Sequence, residues 1–233
     1  MTHSKDFPPS YDPTYYQHNN PDLAQMGSVE LLAHYENHGI REGRVANALK
    51  DRRDFARLIQ PDQSALEIGP FASPLLSGQN VSFCDVLSCE ELKERARSLN
   101  IDPEQVPYIR YKLGPRFLDD IPEKFDAILS SHNIEHQPDI VNHLCQVERR
   151  LNPQGRYFVI IPDKRYCFDR DIAESTIADI LQAHEEKRTV HALKSIIEHR
   201  ALTVHNDASR HWQEVSITRM PVDPNKVTSA IEE

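Results

Sequence analysis

Four stretches of the sequence bring residues able to bind or to move a proton to the ends of apolar runs. SALEIGP offers Glu67, Gly69 and Pro70, and NVSFCDV leads to Asp85. FDAILSSHNIEH delivers Ser131, His132 and His136, and RYFVIIPDKRY delivers Asp163. A carboxylate at a strand end suits a ribose, whose vicinal hydroxyls can both donate to it. Gly69 lets the backbone come close to a ligand. A pyrophosphate asks for more, namely a glycine-rich turn that opens a helix and aims its N–H groups at the phosphates. GPFASP has Phe71 and Ser73 where further glycines would stand. The residues therefore suit a ribonucleoside without phosphates. His132, His136 and Asp163 are the titratable groups placed to take a proton from an acceptor, His132 first. The bland alternatives are that His136 fixes its loop and that Asp163 pairs with Lys164 or Arg165. For Glu67 the alternative is a salt bridge inside the loop, and for Asp85 a plain helix N-cap.

Short apolar strands alternating with helices must position these residues. Strands are predicted near Ala65–Ile68, Val81–Asp85, Tyr108–Tyr111, Ala127–Leu129 and Tyr157–Ile161. CEELKERARSL reads as a helix, acidic at its start and basic at its end. PDIVNHLCQVERRL is another, with Ile140, Leu144, Val147 and Leu151 at helical spacing, and NPQG after it reads as a turn. Buried strands joined by helices predict an α/β fold: a Rossmann-like, doubly wound, mainly parallel sheet covered on both faces. Ligands bind such a sheet beyond the C-terminal strand ends, where the strand order reverses.

LEIGP, the acid of FCDV, and FDAILSSHNIEHQPDIVNHLCQVERRLNPQGRYFVIIPD together resemble the class I S-adenosylmethionine-dependent methyltransferases, and within them the small-molecule type 11 branch. The resemblance runs from about Ser64 to Asp169. It implies S-adenosylmethionine as cofactor. Glu67, Gly69 and Pro70 would lie near its amino-acid end, Asp85 on the ribose hydroxyls, and Ser131 and His132 beside the sulfonium. The family's adenine contact after the third strand falls on Asp119 or Asp120, between which the sequence does not choose. Phe71 and Ser73 replace two of the family's glycines. The family's sheet ends with an antiparallel hairpin, of which only WQEVSITRM offers a weak strand here. The hairpin is thus missing or altered. Two amphipathic helices after Pro162, with Ile177, Ile180 and Leu181 on one and Leu193, Ile196 and Ile197 on the other, are expected to cover that region or to pack on a second copy. A homo-oligomer follows as an open expectation.

Residues 1–60 read as a separate helical module and 61–233 as the α/β domain with a helical extension. In the module, Leu31, Leu32 and Tyr35 share a helical face expected to pack on the domain, Gly39 is a natural stop, and a second helix is expected over Ala48–Ile59. YDPTYYQHNNPDL with LLAHYENHGIREGR resembles a short module found beside bacterial glycosyltransferases, which implies a setting in polysaccharide assembly and a small-molecule or glycan acceptor. A net charge of −9 argues against nucleic acid as partner. No apolar run is long enough to span a bilayer, and the N-terminus has no secretory h-region, which predicts a cytoplasmic protein. His191, His199, His205 and His211 are too widely spaced for a compact metal site, and the four scattered cysteines read as free thiols. Trp212 and Tyr166 are the aromatics expected nearest a substrate. Two rival readings share the same sheet: a nicotinamide-dependent oxidoreductase, and a non-catalytic scaffold of methyltransferase descent.

Overall fold

The computed structural model describes residues 11–47, 49, 51–205, 207, 210 and 211. Trp212 and the strand expected in WQEVSITRM lie outside them. The chain divides into two compact units between Leu58 and Ile59.

Among the described residues the second unit is built on five strands, β1 (Ala65–Ile68), β2 (Val81–Asp85), β3 (Tyr111–Lys112), β4 (Phe125–Ser131) and β5 (Leu151–Ile160). All pairings are parallel, in the order β3-β2-β1-β4-β5. This is a Rossmann-like, doubly wound sheet whose order reverses between β1 and β4. β1 is buried along its whole length because both sheet faces are covered. On one face lies α4 (Cys89–Ser98), which starts with a reciprocal capping box between Ser88 and Glu91 and buries Leu92 and Ala96. On the other lies α5 (Ile140–Arg150), capped by the Asp139 carboxylate on the Asn142 N–H. The core beneath α5 gathers Leu66, Ile68, Cys84, Leu118, Ile121, Ile128 and Val147.

Two local expectations of the sheet are corrected. β3 begins at Tyr111, because its ladder runs from Cys84–Tyr111 to Asp85–Lys112 while Tyr108 turns out to solvent. The turn expected at NPQG is a bulge within β5. Between the pairs Phe125–Leu151 and Ala127–Arg156, β5 spends extra residues on one step of its neighbour. Gly155 serves that bulge, since an added Cβ would lie 2.8 Å from the Phe125 carbonyl oxygen. The connections matter as much. Residues 69–80, between β1 and β2, contain no helix, and β3 leads to β4 through a single 3-10 turn, Phe117–Asp120.

Beyond β5 come α6 (Ile177–Glu185) and α7 (Leu193–Leu202). Part of each aliphatic stripe is exposed, Ile177 and Leu181 on α6 and Leu193 and Ile196 on α7. α6 docks on α5 by another face, through buried Ala183, and His184 Nδ1 lies 3.1 Å from a carboxylate oxygen of the α5 cap Asp139. Among the described residues no helix is long and apolar enough to cross a membrane.

The first unit holds α1 (Pro13–Asn19), α2 (Ser28–His34) continuing into a π-helical turn (Tyr35–Gly39), and α3 (Arg52–Ala56). α3 is shorter than the helix expected over Ala48–Ile59, since Asp51 caps it by accepting from the Arg53 and Asp54 N–H groups. Leu31 is buried in the unit's own core with Tyr11, Tyr16, Leu23 and Ala46, and Leu32 and Tyr35 pack against that core half-buried. Arg44 reaches back to Asn20 and Asp22, at 3.0 and 2.8 Å, and the Asp12 N–H bonds the Ala46 carbonyl at 2.8 Å. The two ends of the module are thereby tied together.

Candidate functional site

The C-terminal ends of β1, β2 and β4 meet where the strand order reverses. Gly69, directly after β1, holds φ +66°, and its N–H donates to the Cys84 carbonyl at 2.9 Å. A Cβ there would stand 3.3 Å from the Asn133 side-chain nitrogen. Gly69 is therefore needed both for its left-handed backbone and for the close approach of the β4 loop. Pro70 beside it is buried.

Glu67 departs from the expectation that it faces a ligand. It is buried, and its carboxylate accepts from the Leu75 N–H with both oxygens at 3.0 Å and from the Leu76 N–H at 2.9 Å. It holds the loop after β1 in place. The loop also carries Phe71 at φ +44°, with the Arg95 guanidinium 5.5 Å from its ring centre.

Asp85 ends β2 half-buried. The plain alternative for this residue, a helix N-cap, does not hold, because Ser88 caps α4. One Asp85 oxygen accepts from the Leu87 N–H at 3.0 Å. Burial pushes its pKa above the ordinary aspartate value, and the Leu87 and Val86 N–H groups and the charge of Arg95 offset this in part.

The end of β4 and the loop after it add further polar residues. Ser131 Oγ is buried and has no hydrogen-bond partner among the described residues. His132 stands at φ +52°, pinned by its N–H to the Ile160 carbonyl at 3.0 Å. Glu135 lies between two imidazoles, its Oε1 3.9 Å from His132 Nδ1 and 3.8 Å from His136 Nε2. Asn133 bonds Gln137 through its side-chain oxygen at 3.0 Å. Asn133 and Glu135 were missed as site residues, although the polar density of SSHNIEH was the signal that contained them.

Three further acids expected at the site have partners of their own. Asp163 forms an ion pair with Arg165 at 2.6 Å and caps a 3-10 turn, which holds its pKa below the ordinary value and makes it a poor base. Asp119 faces Arg149 with two contacts at 2.7 and 3.0 Å, and Asp120 pairs with Arg116 at 2.8 Å. Both acids are paired with arginines. Tyr166, in that 3-10 turn, carries the Arg165 guanidinium 5.5 Å from its ring centre.

Beneath the β4 end runs a buried polar chain with no sequence signature. Ser130 Oγ lies 2.7 Å from the Tyr157 hydroxyl, which lies 3.1 Å from His143 Nε2. Burial lowers the His143 pKa to about 4 and raises that of Tyr157. Among the candidate histidines outside the loop, His211 is buried, contacts Arg170 at 3.1 Å and stacks on His205 with ring centres 4.0 Å apart.

No protein-family model matches the chain, and no curated protein is similar to it in sequence. Solved structures give fold-level likenesses. One is a ribosomal protein L11 methylase from Lactobacillus delbrueckii subsp. bulgaricus, 20% identical over 57% of this chain and 66% of that one, with TM-score 0.30. Another is the trans-methyltransferase CalH in complex with SAH, 19% identical over 59% and 40% of the two chains, with TM-score 0.34. A Galdieria sulphuraria protein assigned as a sarcosine dimethylglycine methyltransferase is 16% identical over 81% and 79%, with TM-score 0.35. The chain spans less than two thirds of the first two. Likenesses of this size assign neither a family nor an activity.

Proposed function

We propose that the chain is an S-adenosylmethionine-dependent methyltransferase acting on a small-molecule or glycan-related acceptor. The observation that carries this reading is Asp85. It is a half-buried carboxylate at the strand end beside the reversal, caps no helix, and is held by main-chain N–H groups along one side. Burying such a group costs stability unless something bonds to it. Two ribose hydroxyls would supply that.

The other residues fit the same group. The φ +66° at Gly69 leaves a cradle that any Cβ would crowd, and the orphaned Ser131 hydroxyl is an unused partner at the β4 end. The helix-free connection after β1 disfavours the nicotinamide reading, since no helix start offers N–H groups to a pyrophosphate. In this assignment Asp85 holds the ribose, Gly69 brings the backbone close, and Ser131 and His132 border the reacting centre. When bound, the cofactor supplies a methyl group on a sulfonium, a good leaving group. The protein's work is alignment, plus removal of the proton from an acceptor hydroxyl. His132 is the base through Nε2, since Nδ1 is the nitrogen nearest Glu135, and Glu135 stabilises the imidazolium that results; His136 on its other side is the alternate. The resemblance of residues 11–44 to modules beside glycosyltransferases supports reading the acceptor as a molecule of bacterial polysaccharide assembly.

Calorimetry tests the reading. S-adenosylhomocysteine should bind the wild-type chain, and Asp85→Ala should weaken that binding roughly ten- to hundredfold, the worth of hydrogen bonds to a charged group. An affinity within twofold of wild type removes Asp85 from the site. Absence of binding by the wild-type chain overturns the cofactor assignment, and binding without turnover on any sugar or nucleotide-sugar acceptor returns the scaffold reading.

A further inference from the structure

The loop after β1 has an unusual account of its main-chain donors. The Gly69 N–H is taken by the Cys84 carbonyl and the Ser73 N–H by the Pro70 carbonyl, at 2.9 and 3.0 Å. Pro70 and Pro74 have no N–H to give. The Leu75 and Leu76 N–H groups both point at the Glu67 carboxylate, at 2.9 to 3.0 Å. A turn that aims consecutive N–H groups at one point is an anion seat. Here the anion in that seat is a side chain of the protein itself.

We infer that Glu67 is a specificity-determining residue: its buried carboxylate fills the anion seat of the loop and so rejects phosphate-bearing nucleotides in favour of nucleosides without phosphates. This rests on the reading of the strand ends as a nucleoside site. The physical reason is competition for the same donors. A phosphate could use the Leu75 and Leu76 N–H groups only by expelling Glu67, leaving a buried carboxylate without its hydrogen bonds. Bringing a phosphate alongside instead would set two anions against one pair of donors. Phe71 adds to the effect. It stands two residues after Gly69 in a left-handed conformation that favours glycine, and packs with Ala72, Leu92 and Ala96 beneath Arg95. The position is therefore filled by a ring rather than left open for a phosphate to approach the backbone.

The probes are adenosine, ADP and S-adenosylhomocysteine, titrated by calorimetry into the full chain. Wild type should bind adenosine and S-adenosylhomocysteine and prefer adenosine to ADP by about ten- to hundredfold, the range set by hydrogen bonds to charged groups. Glu67→Gln removes the charge, and that preference should narrow by about tenfold. Glu67→Asp keeps the charge and should retain the preference, which serves if Glu67→Gln fails to fold. ADP bound by wild type as tightly as adenosine overturns the inference while leaving a nucleoside site intact. So does a folded Glu67→Gln with the wild-type preference, or a Glu67→Asp that has lost it. Wild type that binds none of the three probes overturns the proposed function, and this inference with it.

Discussion

The Asp119 carboxylate lies side-on to the Arg149 guanidinium, with oxygens 3.0 Å from Nε and 2.7 Å from an Nη. The pair joins the 3-10 turn after β3 to α5. Gln146, one turn earlier on the same helix, bonds the Arg116 carbonyl at 3.0 Å and the Leu118 N–H at 3.3 Å. Arg150 bonds the Ile121 carbonyl. Three side chains of α5 thus hold a segment that has no full helix of its own.

Asp119→Ala should therefore cost stability and spare the ligand. A bidentate pair that is partly exposed contributes about 1 kcal/mol. Denaturant melts should show a loss of that order, and calorimetry should find S-adenosylhomocysteine affinity within twofold of wild type. A tenfold loss of affinity at unchanged stability would return Asp119 to the adenine.

His143 gives the fold an acid-side weakness. Its folded pKa, about 4, lies below the ordinary value of 6.5 because burial disfavours the imidazolium. The unfolded chain therefore binds the proton first, so this stability is fully present above pH 6.5 and is lost as pH falls toward 4. The loss is on the order of 3 kcal/mol. In His143→Gln, whose amide can still bond the Tyr157 hydroxyl, the fall in stability from pH 6.5 to pH 4 should be shallower. Parallel profiles for the two proteins would show that His143 is not the group that titrates.

Gly39 holds the first unit closed in a way that sequence periodicity does not reveal. A Cβ there would overlap the Tyr16 hydroxyl and come to 3.0 Å from the Tyr35 ring. The Tyr16 hydroxyl is meanwhile fixed on His34 Nδ1 at 3.0 Å. Gly39→Ala should destabilise the unit by about 1–3 kcal/mol, the usual cost of overpacking. Hydrogen exchange of residues 11–47 in the full chain reads this directly, and unchanged protection there would mean that the ring stack yields without cost.

These cases divide what a sequence tells from what it withholds. The strands and the two main helices follow from local apolar spacing, and Asp85 follows from its place at the end of an apolar run. Glu67 reads as a ligand contact by the same logic. Its actual partners are the Leu75 and Leu76 N–H groups of the loop it holds, and no periodicity encodes the folding-back of that loop. Asp119 and Arg149 are thirty residues apart, as a chain that crosses the sheet between them requires. The NPQG bulge is misread as a turn because its glycine and proline signal irregular backbone without saying whether the strand resumes its ladder. The relay of Ser130, Tyr157 and His143 exists only once β4, β5 and α5 are packed together.

The choice between the two loop histidines rests on backbone geometry. Both lie within 4 Å of Glu135, so proximity to the acid does not separate them. His132 differs in holding a left-handed φ of +52° directly after β4, with its N–H bonded to the Ile160 carbonyl at the end of β5. A non-glycine residue in that conformation costs on the order of 1 kcal/mol and persists where its surroundings over-determine it. The two strand ends supply that constraint. His136 lies in a short 3-10 turn and has no comparable anchor. In turnover assays with sugar and nucleotide-sugar acceptors, His132→Gln should lower kcat by about a hundredfold or more, the usual contribution of a positioned base, and leave S-adenosylhomocysteine affinity within threefold of wild type. His136→Gln should change kcat by no more than about threefold. Equal losses in both variants, or a loss in His136→Gln alone, would transfer the base to His136 and leave the strain at His132 without a catalytic purpose.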